Sequence, residues 1–307
     1  MGSTLINSTR YTLAQSVSQE INTQVSDTFK MLATNIYPWL TFYRRQGRDF
    51  EANLESSIKE IKQSGADSLE PILSTPEKTV QLADALIDQG VAMVSAYVNS
   101  KLHEKADVQE SIDTVLKLTR IAQDRMGTKI IVTNPIHIRW DGPENKNDDQ
   151  IKLQGESLTT LGEALSREGL TLAYHNHDPE LRLAGREFHH MLASTDPRYV
   201  KFCLDSHWIF RGSGDSNVAL YDVIKLYGDR IVELHVRQSR KGIWTETLGD
   251  GDIDYSFLTK VIREIGIHPL VTVEQAVEEN SPNTMDSLAA HKISHARARD
   301  IFASFLS

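Results

Sequence analysis

At 307 residues, with 40% hydrophobic and 24% charged residues, the chain can bury a substantial core as one large α/β barrel or as two ordinary domains. Its formal net charge of −9 speaks against a nucleic-acid partner held through phosphates, which draws on clustered Lys and Arg. The single cysteine, Cys203, excludes an intrachain disulfide framework and makes the cytoplasm the expected compartment. No segment reads as a secretory leader or a membrane span, so no membrane partner is expected.

The chain opens on a polar stretch read as an N-terminal extension over residues 1–27, leaving 28–307 for the folded domain. From Phe29 onward short β-like runs alternate with helical patterns. The first run is 30–35, followed by a helix through 53–65 that Gly65 would stop. A second run at 68–73 precedes a helix ended by Gly90, and a third at 91–98 precedes a helix from Val108 to Gly127. The fourth run, 129–134, leads into a loop rich in Asp, Asn and Gly and a helix over 151–169. The fifth, 170–177, is followed by a helix at 187–194, and the sixth, 199–207, by one at 218–228. The seventh, 230–238, leads through a long loop to a helix at 255–266. The eighth is 269–275, and a last helix runs from about Met285 to Phe305. Eight such units without a break in composition predict a single (β/α)8 TIM barrel. A doubly wound sheet would expect a Gly-rich phosphate turn after its first strand, where this chain reads TNIYPWLTF.

Alternation along barrel strands makes a further reading possible, because residues two apart share a face. On the seventh strand Val232, Leu234 and Val236 suit the helix side, sending Glu233, His235 and Arg237 inward. On the eighth, Val271 and Val273 face out and Thr272 and Glu274 in. On the sixth, Phe202 and Leu204 face out and Cys203, Asp205 and His207 in; on the fifth, Leu172 and Tyr174 face out and Ala173, His175 and His177 in. Taking one residue per strand at matching height gives His175, Asp205, His235 and Glu274. Two imidazoles and two carboxylates form a good inner shell for one divalent cation such as Mn²⁺, Zn²⁺, Co²⁺ or Mg²⁺. A cation would also neutralise carboxylates that are costly to bury alone.

The motifs LAYHNHDPEL, KFCLDSHWIFRG, ELHVRQ, GDGDID and VTVEQ, in that order, resemble the xylose-isomerase-like barrel superfamily, in its sugar phosphate isomerase/epimerase branch. The resemblance runs from about Phe29 to the end. It implies a metal held by residues of the last four strands, here His175, Asp205, His235 and Glu274, and a small carbohydrate substrate. Many relatives carry a Glu at the fifth-strand position that doubles as one of two opposed bases. A metal-bound His175 has its lone pair in use and cannot serve that way, so the two-carboxylate epimerase mechanism is in question.

The chemistry that fits is proton abstraction beside a metal-polarised carbonyl. Returning the proton gives an isomerase or epimerase of a keto-sugar or related polyol, the expected reaction, and expelling a neighbouring substituent gives the alternative, a lyase or dehydratase on a keto-sugar, keto-inositol or 3-keto-glycoside. Candidate proton-transfer residues are Glu274, His177 and Glu70. His177 has a second reading as a support for the ligands, and Glu70 as a salt-bridge partner. Arg237 and His207 are candidates for substrate contact, while Trp39 and Trp244 could wall a sugar face. In GDGDIDY, Asp252 or Asp254 would cap the next helix. His189, His190, His291 and His295 are expected at the surface, and Cys203 as a small buried side chain. An abasic-site endonuclease on the same barrel would need further His and Asp ligands on earlier strands, where only His137 offers itself. A homo-oligomer is compatible with the sequence.

Overall fold

The computed structural model describes residues 30–306, so the expected extension at 1–27 lies outside the described residues. The barrel is a parallel sheet of β1 (Leu32–Asn35), β2 (Ser68–Glu70), β3 (Ile72–Leu73), β4 (Ser95–Val98), β5 (Ile130–Thr133), β6 (Thr171–His175), β7 (Val200–Asp205), β8 (Ile231–Val236) and β11 (Leu270–Val273). An antiparallel ribbon, β9 (Ser239–Arg240) and β10 (Ile243–Trp244), stands between the last two of these. β2 and β3 are halves of one barrel strand divided at Pro71, which has no N–H to donate. β2 pairs with β1 and β3 with β4, so eight barrel strands close the ring.

The helices are α1 (Ile36–Arg45), α2 (Leu54–Gln63), α3 (Pro76–Gln89), α4 (Val108–Met126), α5 (Asp148–Arg167), α6 (Asp178–Ser194), α7 (Ser206–Gly212), α8 (Asn217–Tyr227), α9 (Tyr255–Ile265), α10 (Ser287–Ile301) and α11 (Ala303–Leu306). Side-chain caps start several of them, including Asn53, Thr75 and Asn147, and Gly90 and Gly127 end two in the left-handed conformation. No described helix is long and apolar enough to cross a membrane.

The expected parity holds in the core. Leu172, Tyr174, Phe202, Leu204, Leu234, Val236, Val271 and Val273 pack between sheet and helices. Ala173 and Cys203 join Ala33, Ile130, Val132 and Leu270 inside the barrel. This small apolar layer lies two residues before the polar strand ends and closes the barrel beneath them.

Four expectations need correction. Val232, expected on the helix side, packs against the interior cluster, because the register of β7 and β8 shifts at Phe202/Cys203 and accommodates one extra residue there. Trp39, expected in a loop walling a sugar, sits on α1, fully buried, stacked on His291 with ring centroids 3.8 Å apart and donating from Nε1 to Thr34 Oγ1 at 3.2 Å. His291 and His295, expected at the surface, are each 1% exposed, because α10 lays that face against α1, α2 and β1. The last helix breaks at Phe302 instead of running through. Two helices also went unread: α1 and α7 begin directly on strand ends, capped by the side chains of Asn35 and Asp205, which accept from the N–H of Tyr37 and of Trp208. His189 is exposed as expected and His190 partly so.

The GDGDIDY segment divides two structural tasks. Asp254 caps α9, accepting from the Phe257 N–H. Asp252 instead clamps the ribbon, accepting from Ser239 Oγ at 2.7 Å and from the N–H groups of Lys241 and Gly242 at 2.8 Å each. Gly251 lies so close to the Ser239 carbonyl and the Gln238 side chain that a Cβ there would collide with both.

Candidate metal centre and cavity

His175 ends β6, Asp205 ends β7, His235 lies one residue short of the end of β8 and Glu274 directly follows β11. Asp205 and His235 are direct register partners, as are His235 and Thr272, so the pleat delivers the four side chains at similar height. One ligand atom from each of His175, Asp205, His235 and Glu274 can be chosen so that all lie within 4.8 Å of one another. All four residues are buried. His175 Nε2 is 3.8 Å from Asp205 Oδ2, and His235 Nδ1 is 3.5 Å from Glu274 Oε2.

The donors have little else to do. Both ring nitrogens of His175, Nδ1 of His235 and Oδ2 of Asp205 are buried without a hydrogen-bond partner. Polar atoms in that condition are destabilising unless something fills the space between them. A divalent cation held by two imidazoles and two carboxylates fits the set. Burial, reinforced by the adjacent His177, holds the His175 imidazole neutral far below its ordinary pKa, the form a ligand needs. Burial also pushes the Asp205 carboxyl up to about 8 against the pull of Arg237. For Glu274 burial acts the same way, but Arg237 and His235 outweigh it and keep the carboxyl well below the usual range.

A second layer orients His235. Its Nε2 lies 3.1 Å from Glu70 Oε2 and 3.5 Å from Glu233 Oε1, leaving Nδ1 turned toward Glu274. Glu70 in turn accepts from Asn35 Nδ2 at 2.5 Å. Glu233 accepts from Ser95 Oγ at 2.9 Å and Thr272 Oγ1 at 2.6 Å. Glu70 is fully buried, and burial, partly offset by His235, raises its carboxyl to about 7. A carboxylate behind a ligating imidazole fixes ring orientation and tautomer. Glu70 therefore stands behind His235 as seen from the cavity, paired with that ring and not among the residues of the cavity wall.

Above the quartet opens a cavity of about 1170 Å³ whose wall includes Glu274, His177, Arg237, Trp208, Trp244 and Trp140. Arg237 is sandwiched by Trp244 at 4.1 Å and Trp208 at 5.3 Å. Its Nη2 donates to Glu274 Oε2 at 2.6 Å and lies 3.6 Å from Asp205 Oδ2, while Nη1 has no partner. The His177 ring sits 4.5 Å from that of His175 and faces the cavity; burial lowers its pKa to about 3. The backbone N–H of His177 donates to the buried Glu180 Oε2 at 2.8 Å.

His207, expected to touch substrate, is fully buried and lies outside the cavity wall, with its ring near Phe210 and Trp244. The helix that begins at Ser206 turns it away from the strand direction on which that expectation relied. His137 pairs with the Trp140 ring at 5.2 Å and joins no candidate ligand group. The three such groups among the described residues all share His235. Glu180, Asn35 and Trp140 were missed; the one signal for Trp140 is a lone aromatic in the polar loop HIRWDGPEN.

A family model described as xylose isomerase-like TIM barrel matches residues 58–295. The chain is 24% identical over 268 residues to the rhizopine catabolism protein MocC of Rhizobium meliloti, covering 79% of each. It is 23% identical over 252 residues to an inosose dehydratase of Clostridium beijerinckii, covering 73% of this chain and 82% of the relative. A sugar phosphate isomerase/epimerase structure from Parabacteroides distasonis superposes with TM-score 0.69 at 19% identity, covering 90% of this chain and 96% of that one. The IOLI protein with a bound zinc atom superposes with TM-score 0.66 at 18% identity, covering 90% and 99%. With its family model matched over more than half of its length, the chain belongs to the xylose isomerase-like TIM barrel family.

Proposed function

We propose that this barrel is a divalent-metal-dependent enzyme that removes a proton from the carbon beside the carbonyl of a keto-sugar or keto-inositol. The observation that carries the reading is the convergence of His175, Asp205, His235 and Glu274 with their unpartnered buried atoms. When bound there, a Mn²⁺, Zn²⁺, Co²⁺ or Mg²⁺ ion supplies Lewis acidity toward a carbonyl and a neighbouring hydroxyl. Zinc in the structurally similar IOLI protein supports such a centre.

The chain's own groups divide the remaining work. His175 presents a neutral imidazole, and Glu70 and Glu233 hold the ring of His235 in orientation, a ring from which a bound cation would displace the proton. Glu274 reaches from the quartet into the cavity, where its carboxylate is placed to take the substrate proton. Arg237 offers its free Nη1 to a substrate oxygen. Trp208 and Trp244 keep that guanidinium in place and exclude water from one side.

Elimination of a neighbouring hydroxyl is the outcome favoured here. Epimerisation calls for proton transfer on both faces of one carbon, and the fifth-strand position holds His175, whose role as a ligand uses its lone pair. One carboxylate base suffices to begin an elimination, the reaction class of the inosose dehydratase relative. The epimerase reading rests on His177, which lines the cavity next to the quartet and could act as the second group, whereas an isomerase needs only one base that returns the proton to the neighbouring carbon.

Solvent-deuterium exchange on Mn²⁺-loaded protein with a panel of ketoses and keto-inositols tests this. Exchange accompanied by loss of water is expected. Exchange with interconversion and no loss of water selects the isomerase or epimerase reading. Failure to bind any divalent ion by calorimetry would refute both.

A further inference from the structure

We infer that the substrate carries a second uncharged ring, or a neutral group of that size, bound in an outer subsite whose platform is Trp140. This deepens the function proposed above and rests on its placement of a keto ring at the quartet.

The first observation is size. At about 1170 Å³ the cavity exceeds the roughly 300–1,000 Å³ that encloses drug-sized ligands. A single pyranose or cyclitol ring over Glu274 would leave most of it as water.

The second observation is the shape of the aromatic wall. Trp244 and Trp208, beside Arg237, meet at 5.7 Å, and Trp208 meets Trp140 at 5.6 Å, both edge to face. Trp140 also contacts the His177 ring at 5.3 Å. An unbroken row of rings thus leads from the quartet to the rim. Along it exposure rises: Trp244 is 4% exposed, Trp208 9% and Trp140 40%. The outermost indole lines the cavity and is the most exposed of the three, while Tyr37 and Ile72 add further exposed apolar residues to the same wall. Aromatic faces of this kind receive the C–H face of a sugar ring.

Trp140 is also held in position. Arg182 donates to the backbone carbonyls of Arg139 and Trp140 and pairs with Asp178 at 3.4 Å. Arg182 opens a backbone kink in which Leu183 and Ala184 take φ of 52° and 62°. Non-glycine residues adopt such values only where surrounding structure imposes them.

The third observation is charge. Five arginines and five acidic residues line the cavity. Arg211 is bidentate with Glu278, Arg237 pairs with Glu274, and Arg45 pairs with Glu246. With Arg182 committed to the loop, Arg44 alone among the described lining arginines has no partner. One exposed guanidinium at a rim is a poor seat for a phosphate dianion, which calls for several converging donors. Neutral side chains fill the gaps, among them Asn99, Ser281 and Asn283, which suit hydroxyl groups.

The test measures binding of glucose, glucose 6-phosphate, cellobiose, maltose and trehalose to Mn²⁺-loaded wild type, Trp140→Ala and Trp140→Phe by calorimetry. At least one disaccharide should bind about tenfold or more tightly than glucose. Trp140→Ala should abolish that advantage and Trp140→Phe restore part of it, with unchanged metal content and thermal midpoint. Disaccharides no tighter than glucose, or an advantage that survives Trp140→Ala, overturn the inference. Glucose 6-phosphate binding tighter than every disaccharide overturns its neutrality. Deuterium exchange into one-ring ketones alongside failed disaccharide arms would leave the proposed chemistry standing and the subsite rejected. Trp140-dependent disaccharide binding without exchange into any ketone would do the reverse.

Discussion

Two buried histidine pairs lie in different layers of this barrel. His175 on β6 and His235 on β8, with β7 between them, have ring centroids 4.8 Å apart; His291 and His295, one turn apart on α10, have theirs 5.8 Å apart. All four are 1% exposed or less. Burial therefore does not distinguish them, and their surroundings do. The α10 rings each bond one nitrogen to a backbone carbonyl, His291 to Ser287 and His295 to Ser64, and one of them stacks on Trp39. The strand-end rings have no such bonds and face Asp205 and Glu274 instead. What makes a candidate centre is the convergence of carboxylates on unpartnered imidazole nitrogens, and a fold supplies that where successive strands end together.

The largest test of this contrast removes ligands. Glu274→Gln and His235→Ala should each strip the metal and lower turnover by at least about 100-fold, the scale on which loss of a single electrostatic stabiliser acts. His295→Gln should keep full metal content, as should His189→Ala at the surface. Metal analysis after gel filtration, with kcat alongside, decides it. Retained metal in the first two variants would dissolve the distinction between the pairs.

A smaller effect is expected one layer out. Glu70→Gln removes the charge behind His235 Nε2 while keeping the shape and a carbonyl oxygen that still accepts from Asn35. Losses of carboxylates behind a ligating imidazole weaken metal binding by roughly 10–100-fold. Competition against a chelator should show a shift in that range for Glu70→Gln. An unchanged affinity would assign Glu70 to a task other than orienting His235.

The barrel and its quartet were legible because alternation is a strong constraint: with Leu234 and Val236 outward, His235 has to point in. The failures follow from features that alternation does not report. Val232 was misplaced because a register shift beside it adds a residue to the strand. Trp39 and His207 were misplaced because α1 and α7 start on the last strand residue, so helical geometry takes over where strand geometry was assumed. His291 and His295 looked like surface residues because α10 carries Lys and Arg among its small residues, and a sequence does not say which stripe meets the barrel. Glu233 was correctly sent inward, but nothing in the linear order shows that it lies behind His235 and not in front of it.

A further expected effect is on stability, and it sharpens the other half of the contrast. Burial lowers the pKa of His291 to about 3 and of His295 to about 4, against about 6.5 in the unfolded chain. His291 faces His295, Trp39 and Phe42, and His295 has Arg299 and Asp67 nearby. A depressed folded-state value means that the unfolded chain takes up protons first. The contribution is therefore fully present above about pH 6.5 and is lost as the pH falls toward the folded-state values. Between pH 7.5 and pH 5 each ring should remove about 2 kcal/mol of stability. His291→Phe keeps an aromatic ring against Trp39 and removes one titrating group, so its urea-derived stability should fall less steeply over that interval than that of the wild type. Other buried histidines are common to both proteins and cancel in the difference. Parallel curves would mean that His291 keeps an ordinary pKa in the folded chain, and that the α10 pair is less sealed from water than its packing indicates.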